Sequence, residues 1–227
     1  MFVHLLYFVT CLHASVNFLI LSMILSETTI PTALRLKNNT AHHHQLLEEL
    51  LVPHLQNSTT NAQYGAILKA FYGFFKPVEV LLEQYVDVNV MPDLTLRRKA
   101  ALILTDLHHL NITGSPVLAV NLPHIANRYQ ALGAMYVLEG STLGGRGITK
   151  MMLKNNSALT LSGLNFFAGY GADTGPKWVA FQNIINGITN EEDVMQMVTA
   201  ANDTFLKFKL WILESTGETG QVAGNNP

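Results

Sequence analysis

The chain has 227 residues, of which 48% are hydrophobic and only 13% are charged, and its formal net charge is -2. A chain of this length folds most often as one domain, and its hydrophobic fraction supports a sizeable core, which excludes an intrinsically disordered protein. The near-neutral charge argues against nucleic acid as the main partner. Cys11 is the only cysteine, so an internal disulfide and a thiolate metal site are both excluded.

Residues 1–22 form an apolar extension that precedes a second methionine, Met23. The segment 1–25 carries no charged residue, and it reaches the roughly 20 residues that a membrane span requires. Three interpretations stay open: a membrane anchor, a signal segment, or an extension upstream of a true start at Met23. Polar residues interrupt the apolar run at His4, His13 and Asn17, which favours a true start at Met23. A chain that starts there is expected to be cytoplasmic.

The remainder is predicted to be helical, because no segment alternates with a two-residue period for long enough to indicate a sheet. Prolines, asparagines and glycines mark the ends of the helices. The predicted helices span 32–51, 61–86, 92–110, 123–154, 174–185 and 191–214. An irregular segment is predicted at 155–173 and a loose tail at 215–227. The fold class is therefore all-α, with one domain over 23–214.

Three consecutive histidines in the first helix are distinguished by helical spacing. His43 lies on an apolar stripe and His42 on a mostly solvated one. His44 lies on a stripe of mixed polarity, which suits a cofactor pocket, together with Lys37, Thr40, Glu48 and Leu51. The spacing alone leaves a surface cluster or adventitious metal binding as the commoner explanation.

A run of glycines in the fourth predicted helix needs a reason, since glycine inside a helix costs about 1 kcal/mol relative to alanine. The run consists of Gly140, Gly144, Gly145 and Gly147. Without Cβ atoms the backbone can bend there, and a flat ligand can lie directly on it. A tight helix crossing without a ligand and an anion-binding turn stay open as alternatives, although a phosphate loop normally follows a strand.

The segment Glu-Gly-Ser-Thr-Leu-Gly-Gly-Arg at 139–146 resembles the distal-helix motif of bacterial haem oxygenases, the biliverdin-producing kind often found beside bacteriophytochromes. The pattern Leu-Lys-x-x-Thr-x-x-x-His-x-x-x-Glu at 36–48 is similar to the family's proximal helix at every specified position. The resemblance covers roughly residues 31–213. It implies a helical bundle in which haem is clamped between a proximal helix and a glycine-kinked distal helix.

The resemblance implies roles for residues on the proximal side. His44 would be the axial iron ligand, Lys37 would pair with a haem propionate, and Thr40 and Glu48 would belong to the haem-binding surface. Two further haem contacts match the family more loosely. Lys177 would be a second propionate partner, with an ordinary exposed lysine as the alternative. Phe205 would touch the haem edge, with plain core packing as the alternative.

On the distal side, the resemblance implies that Gly140, Gly144 and Gly145 let the backbone approach the iron-bound oxygen. Ser141 stands where mammalian-type enzymes have an aspartate that organises the distal water. Ser141, with Arg146 as another participant, would then order that water in a different network.

The function implied is that of a haem oxygenase, which opens haem to biliverdin, carbon monoxide and ferrous iron. Haem would be substrate and cofactor together, with O2 as the second substrate. Electrons would come from a ferredoxin or a separate reductase, because the chain has no flavin or nucleotide motif, and a bacteriophytochrome would receive the biliverdin. The alternative is a non-catalytic protein of the same fold that stores, carries or senses haem.

Overall fold

The computed structural model describes residues 30–217, and every regular element in that range is a helix. The α-helices are α1 (Thr32–Gln56), α2 (Asn61–Leu82), α3 (Ala101–His109), α4 (Arg128–Asn155), α5 (Asn165–Ala168), α6 (Thr174–Asn186) and α7 (Glu191–Thr216). Short 3-10 turns lie at Leu94–Leu96, Leu161–Gly163 and Gly171–Asp173. The all-α prediction is confirmed. The predicted extension 1–22 lies outside the described residues, as does the tail from residue 218.

The core forms around α4, in which residues 131–139 are all buried. α7 packs closely along it, because Gly133 has no side chain to collide with the backbone oxygen of Met197. Phenylalanines from three helices fill the space beside α4, with ring centroids 4.8–6.1 Å apart: Phe71, Phe74, Phe75, Phe166, Phe167 and Phe208. Burial of these rings fixes the short helix α5 against α2 and α7.

Two prolines lie inside helices instead of ending them. The first helix was expected to stop at residue 51, but α1 continues through Pro53 to Gln56. Pro77 lies within α2 and lacks the N–H that would bond to the carbonyl of Gly73. That carbonyl accepts instead from the backbone N–H of Ala119, at 2.9 Å. The proline thereby provides an attachment point for the loop that leads to α4.

The structure differs from the predictions at two helix starts. The segment 92–110 is α-helical only from Ala101 to His109, because Arg97 is extended, with ψ of 148°. The fourth helix begins at Arg128 and not at residue 123. The reason is that the Asn127 side chain caps the helix by accepting from the backbone N–H groups of Tyr129 and Gln130. The helices predicted at 174–185 and 191–214 are present, each within two residues of its predicted ends.

No helix within residues 30–217 has the length and apolar character that a membrane crossing requires.

Candidate functional site

Two contacts hold α1 and α4 side by side in the same direction. In the third turn of each helix, the Tyr136 hydroxyl forms a hydrogen bond with Thr40. Burial raises the pKa of Tyr136, and the Thr40 contact partly offsets that rise. At their last turns, Asn155 Nδ2 donates to the carbonyl of Gln56 at 3.0 Å. Since helical residues four apart share a face, the stretch of α1 that follows Thr40 lies beside the stretch of α4 that follows Tyr136.

His44 lies in that stretch of α1, one turn after Thr40. Its side chain is 55% exposed, and Glu48 Oε2 lies 3.4 Å from its Nδ1. The buried ring of Phe205, on α7, meets the imidazole edge-on, with the centroids 5.6 Å apart. Phe205 therefore supports the imidazole on one side, and Nδ1 points toward Glu48. The other ring nitrogen, Nε2, is left available to a ligand.

The glycines of α4 lie across from His44 and have different surroundings. A Cβ at Gly144 or Gly147 would meet no atom within 4 Å, so this face of the helix is open. A Cβ at Gly140 would lie 3.7 Å from the Trp178 ring, an ordinary contact. A Cβ at Gly145 would collide with the backbone oxygen of Phe167. α4 remains one continuous α-helix through all four positions.

The other predicted site residues divide into two groups. Lys37, on the His44 stripe, and Arg146 are both exposed, and neither forms an ion pair with a described residue. Lys177 Nζ, by contrast, donates to Asp93 at 2.8 Å and is mostly buried. Gly145 lies against α5, at Phe167, and not on the open face of α4. The structure thus brings His44, Glu48 and Phe205 together, with Lys37 and Thr40 on the same stripe of α1, and it engages Lys177 and Gly145 elsewhere.

Sequence reasoning missed Arg98, the partner of Ser141. Arg98 Nη2 donates to Ser141 Oγ at 2.6 Å and to the carbonyl of Leu138 at 2.8 Å. Its guanidinium carbon lies 4.1 Å from the centroid of the Phe166 ring, and burial lowers the pKa of Arg98. The only signal in the sequence was the run Arg97-Arg98-Lys99, which falls in a segment that was predicted to be plain helix.

Trp178 is the second residue that was missed. Its ring packs against Gly140 and lies 5.5 Å from the ring of Tyr136, so it closes one end of the space between α1 and α4. Its position could not be inferred from α6 alone, because the contact joins residues about 40 positions apart.

The residues present fit a flat ligand that takes one axial nitrogen. Within residues 30–217, no cluster of three or more His, Cys, Asp or Glu side chains could hold a metal ion by itself. His44 offers one accessible imidazole on α1, and α4 has no side chain at Gly144 and Gly147. A ligating nitrogen and an open helix face are features that a haem site requires.

Comparison with known proteins finds similar sequences and similar folds. A heme oxygenase from Xanthomonas campestris pv. campestris (strain 8004) is 29% identical over 123 residues, which are 54% of this chain and 71% of that protein. The NO- and CO-bound heme oxygenase of Neisseria meningitidis superposes with a TM-score of 0.71 at 24% identity, over 87% of this chain and 100% of that one. The heme oxygenase of Leptospira interrogans gives a TM-score of 0.66 at 16% identity, over 82% and 100%.

The two solved structures establish the likeness of fold. The family itself follows from the sequence, since the model of the Heme oxygenase family matches residues 31–214, most of the chain. The protein therefore belongs to the haem oxygenase family and is a haem-degrading enzyme.

Proposed function

We propose that the chain holds haem between α1 and α4 and opens it to biliverdin, carbon monoxide and ferrous iron. The observation that carries the proposal is the placement of an accessible imidazole opposite an open glycine face, between contacts that fix both helices. Bound haem supplies the iron that activates oxygen and the ring that is oxidised. The residues of the chain bind the haem, orient it and supply the hydrogen bonds around it.

On the proximal side, we assign His44 Nε2 as the iron ligand. Glu48 near Nδ1 would set the orientation and basicity of the ring, as partners of metal-bound histidines commonly do. Lys37, exposed on the same stripe, would pair with a propionate as a point charge. Phe205 supports the imidazole edge, and Thr40 maintains the contact with α4 through Tyr136.

On the distal side, Gly140 and Gly144 let the backbone of α4 approach the ligand. Ser141 Oγ donates its proton to the carbonyl of Leu138 at 2.7 Å, so its remaining lone pair can accept from a water molecule. Arg98 fixes that hydroxyl and brings a positive charge beneath α4, where mammalian-type enzymes carry the charge of an aspartate. Arg146 remains a candidate for ordering water, and Gly145 contributes by letting α5 approach.

Electrons would come from a ferredoxin or a separate reductase, and the surface of α4 supports an acidic donor. Arg146, Lys150 and Lys154 follow one another at intervals of four residues, and all three are exposed. None of them forms an ion pair with a residue in the range 30–217. A basic stripe beside the haem face favours encounter with an acidic protein. Delivery of biliverdin to a bacteriophytochrome rests on the resemblance alone.

The ligand assignment is tested by replacing each histidine in turn. His44→Ala should abolish the haem Soret signature, while His42→Ala and His43→Ala should leave it intact, because adjacent residues of a helix point about 100° apart and we assign the ligand to His44. Absorption spectra of the three variants, titrated with haem, decide the matter. Equal loss at all three positions, or at none, would overturn the assignment.

Turnover is tested by an absorption time course in which haem and then a reductant are added under air. Loss of the Soret band with growth of a broad biliverdin band is the expected result. A stable Soret band that only shifts on reduction would instead favour a storage, carrier or sensor protein. Gly144→Leu should slow the loss of the Soret band more than it weakens haem binding, and an unchanged rate would contradict the role of the glycine face.

A further inference from the structure

A narrow cleft lies behind α4, on the side away from the glycine face. Met135 and Leu138 contribute to its wall, and the 100° step of the α-helix places them opposite Gly140 and Gly144. α2 and the segment 94–99 form the remaining walls. The apolar lining comes from Phe75, Leu82, Val86, Leu94, Met135 and Leu138. Charged side chains also line the cleft, namely Glu79, Arg97, Arg98 and Glu139, with Glu83 and Lys99 joined as an ion pair.

Arg97 lines this cleft and has one unused hydrogen-bond donor. Its side chain is only 2% exposed. Nε donates to Asp93 at 2.9 Å, and Nη1 donates to Glu139 at 2.8 Å and to the carbonyl of Lys177 at 3.0 Å. Nη2 is buried and has no partner among the described residues. A buried charged donor without an acceptor is costly, so a group that is not part of residues 30–217 is expected to satisfy it.

Arg98 also lines the cleft, and Glu139 and Glu79 act on its charge from beyond ion-pair distance. Its hydrogen-bond acceptors are the carbonyl of Leu138 and the hydroxyl of Ser141, and its guanidinium lies against the rings of Phe166 and Phe75. Within the described range, no carboxylate lies within ion-pair distance of it. A half-buried guanidinium without a carboxylate in direct contact can still accept an anion as a direct partner.

Glu79 does not cancel this charge fully. One of its oxygens accepts from the backbone N–H of Ala100 at 2.7 Å. Burial raises the pKa of Glu79, despite the opposing effects of that hydrogen bond and of nearby cations. The carboxyl group therefore takes up a proton more readily than an exposed glutamate, and a protonated Glu79 can donate to an anion in the cleft.

We propose that this cleft binds a small, planar, monovalent oxyanion, of the class of formate, nitrate and bicarbonate, between Arg97 and Arg98. Arg97 Nη2 lacks an acceptor and Arg98 lacks a carboxylate in direct contact, and an oxyanion of this class supplies an oxygen to each. The narrow space admits only a few atoms. Because Arg97 also binds Glu139 and Arg98 also binds Ser141, the bound anion would stiffen α4 on both sides of Gly140.

The test uses 13C-labelled formate and the haem-free full-length chain. The formate NMR line should broaden in the presence of the protein, and unlabelled nitrate should reverse the broadening by competition. Arg97→Lys keeps the positive charge but replaces the three guanidinium nitrogens with one ammonium nitrogen, so the formate affinity should fall about tenfold or more. Arg128→Lys, the same change at an exposed arginine at the start of α4, should bind formate as the wild type does.

A second variant covers the case in which Arg97→Lys does not fold. Leu94→Phe enlarges a half-buried side chain in the cleft wall and should block formate while the helical circular dichroism is unchanged. No broadening with the wild type, or equal broadening with wild type and Leu94→Phe, would overturn the proposal. Because haem is absent from the experiment, neither outcome bears on the haem oxygenase assignment.

Discussion

At the scale of single residues, the glycine run in α4 serves two purposes. Gly144 and Gly147 leave one face of the helix open, whereas Gly145 lets α5 come into contact on another face. The two purposes can be separated because they lie at neighbouring positions that point about 100° apart. Replacement of Gly145 should therefore change the stability of the protein, whereas replacement of Gly144 should change its haem chemistry.

Gly145→Ala should lower the free energy of unfolding by about 1–3 kcal/mol. The new Cβ would meet the backbone oxygen of Phe167, which cannot rotate away as a side chain could. Urea unfolding followed by circular dichroism measures the change.

Gly147→Ala is the matched control, since its Cβ would meet no atom within 4 Å. It should raise the free energy of unfolding by about 0.5–1 kcal/mol, because alanine is the better helix former. Equal effects at the two positions would show that α4 and α5 are not in close contact at Gly145.

Lys177 gives the second prediction at this scale, and it depends on pH. Burial alone would raise the pKa of Asp93, but hydrogen bonds from Lys177 and Arg97 together lower it. A carboxylate whose pKa falls on folding stabilises the protein above its unfolded pKa of about 4 and loses that contribution as the pH falls. Lys177→Gln should therefore cost about 1 kcal/mol at pH 7 and less at pH 3, because the contribution declines as the pH falls below about 4 toward the lowered pKa of Asp93.

Urea unfolding at both pH values checks this prediction, and Lys37→Gln is its control. Lys37 is exposed and has no ion-pair partner among the described residues, so its replacement should leave the unfolding free energy unchanged at either pH. An equal loss of stability at pH 7 and pH 3 would show that the Lys177–Asp93 pair is not the source.

At the scale of elements, α2 holds the loop before α4 through two neighbouring features. Pro77 frees the carbonyl of Gly73, and Ala119 N–H occupies it. Gly73 itself lies so close to the loop that a Cβ would collide with the carbonyl of Val117 and lie 2.7 Å from the Trp211 ring. The proline and the glycine act together, one supplying the acceptor and the other the space.

Gly73→Ala should therefore lower the free energy of unfolding by about 1–3 kcal/mol and speed amide exchange at Ala119. Hydrogen exchange measured by NMR reports on the loop directly. Gly65→Ala, also in α2, meets only the side chain of Ile112, which can shift, so it should cost less. Unchanged exchange at Ala119 in Gly73→Ala would contradict the attachment.

Local signals in the sequence predicted the elements that are determined locally. The last two helices were placed within two residues, because their periodicity and the asparagine cap at Asn190 are contained in the helices and their flanks. The prediction of a helix over 92–100 was wrong, because Arg97 and Arg98 bind Glu139 and Ser141, more than 40 residues away. Periodicity carries no information about such long-range pairing, which here replaces the helix.

In the candidate site too, the sequence predicted local features and missed those that depend on long-range pairing. Helical spacing separated His44 from its two neighbours, since stripes on one helix are a local property. The partners of Ser141 and Lys177 depend on how α4 and α6 pack against the segment 93–99, so Arg98 and Asp93 could not be found from their own surroundings. The roles of the site residues toward haem stay predictions.

At the scale of the whole molecule, α1 must be held in place for His44 to face α4. Three contacts from its first residues provide this support. Thr32 Oγ1 donates to the carbonyl of Ile188 at 2.6 Å, Ala33 N–H donates to Asn186 Oδ1 at 2.8 Å, and Arg35 pairs with Glu191. All three partners lie at the junction of α6 and α7, so the start of α1 is anchored from residue 32 onward.

A chain that begins at Met23 should consequently bind haem with the same Soret spectrum and unfold at the same urea concentration as the full chain. The reason is that Ile188, Asn186 and Glu191, which hold the start of α1, all lie within residues 30–217. Haem titration and urea unfolding of the two chains, compared side by side, measure both properties. As a control, Arg35→Gln in the full chain should weaken haem binding by loosening the start of α1. Loss of the Soret band in the shorter chain, with the full chain unaffected by Arg35→Gln, would show that the N-terminal segment positions α1 instead.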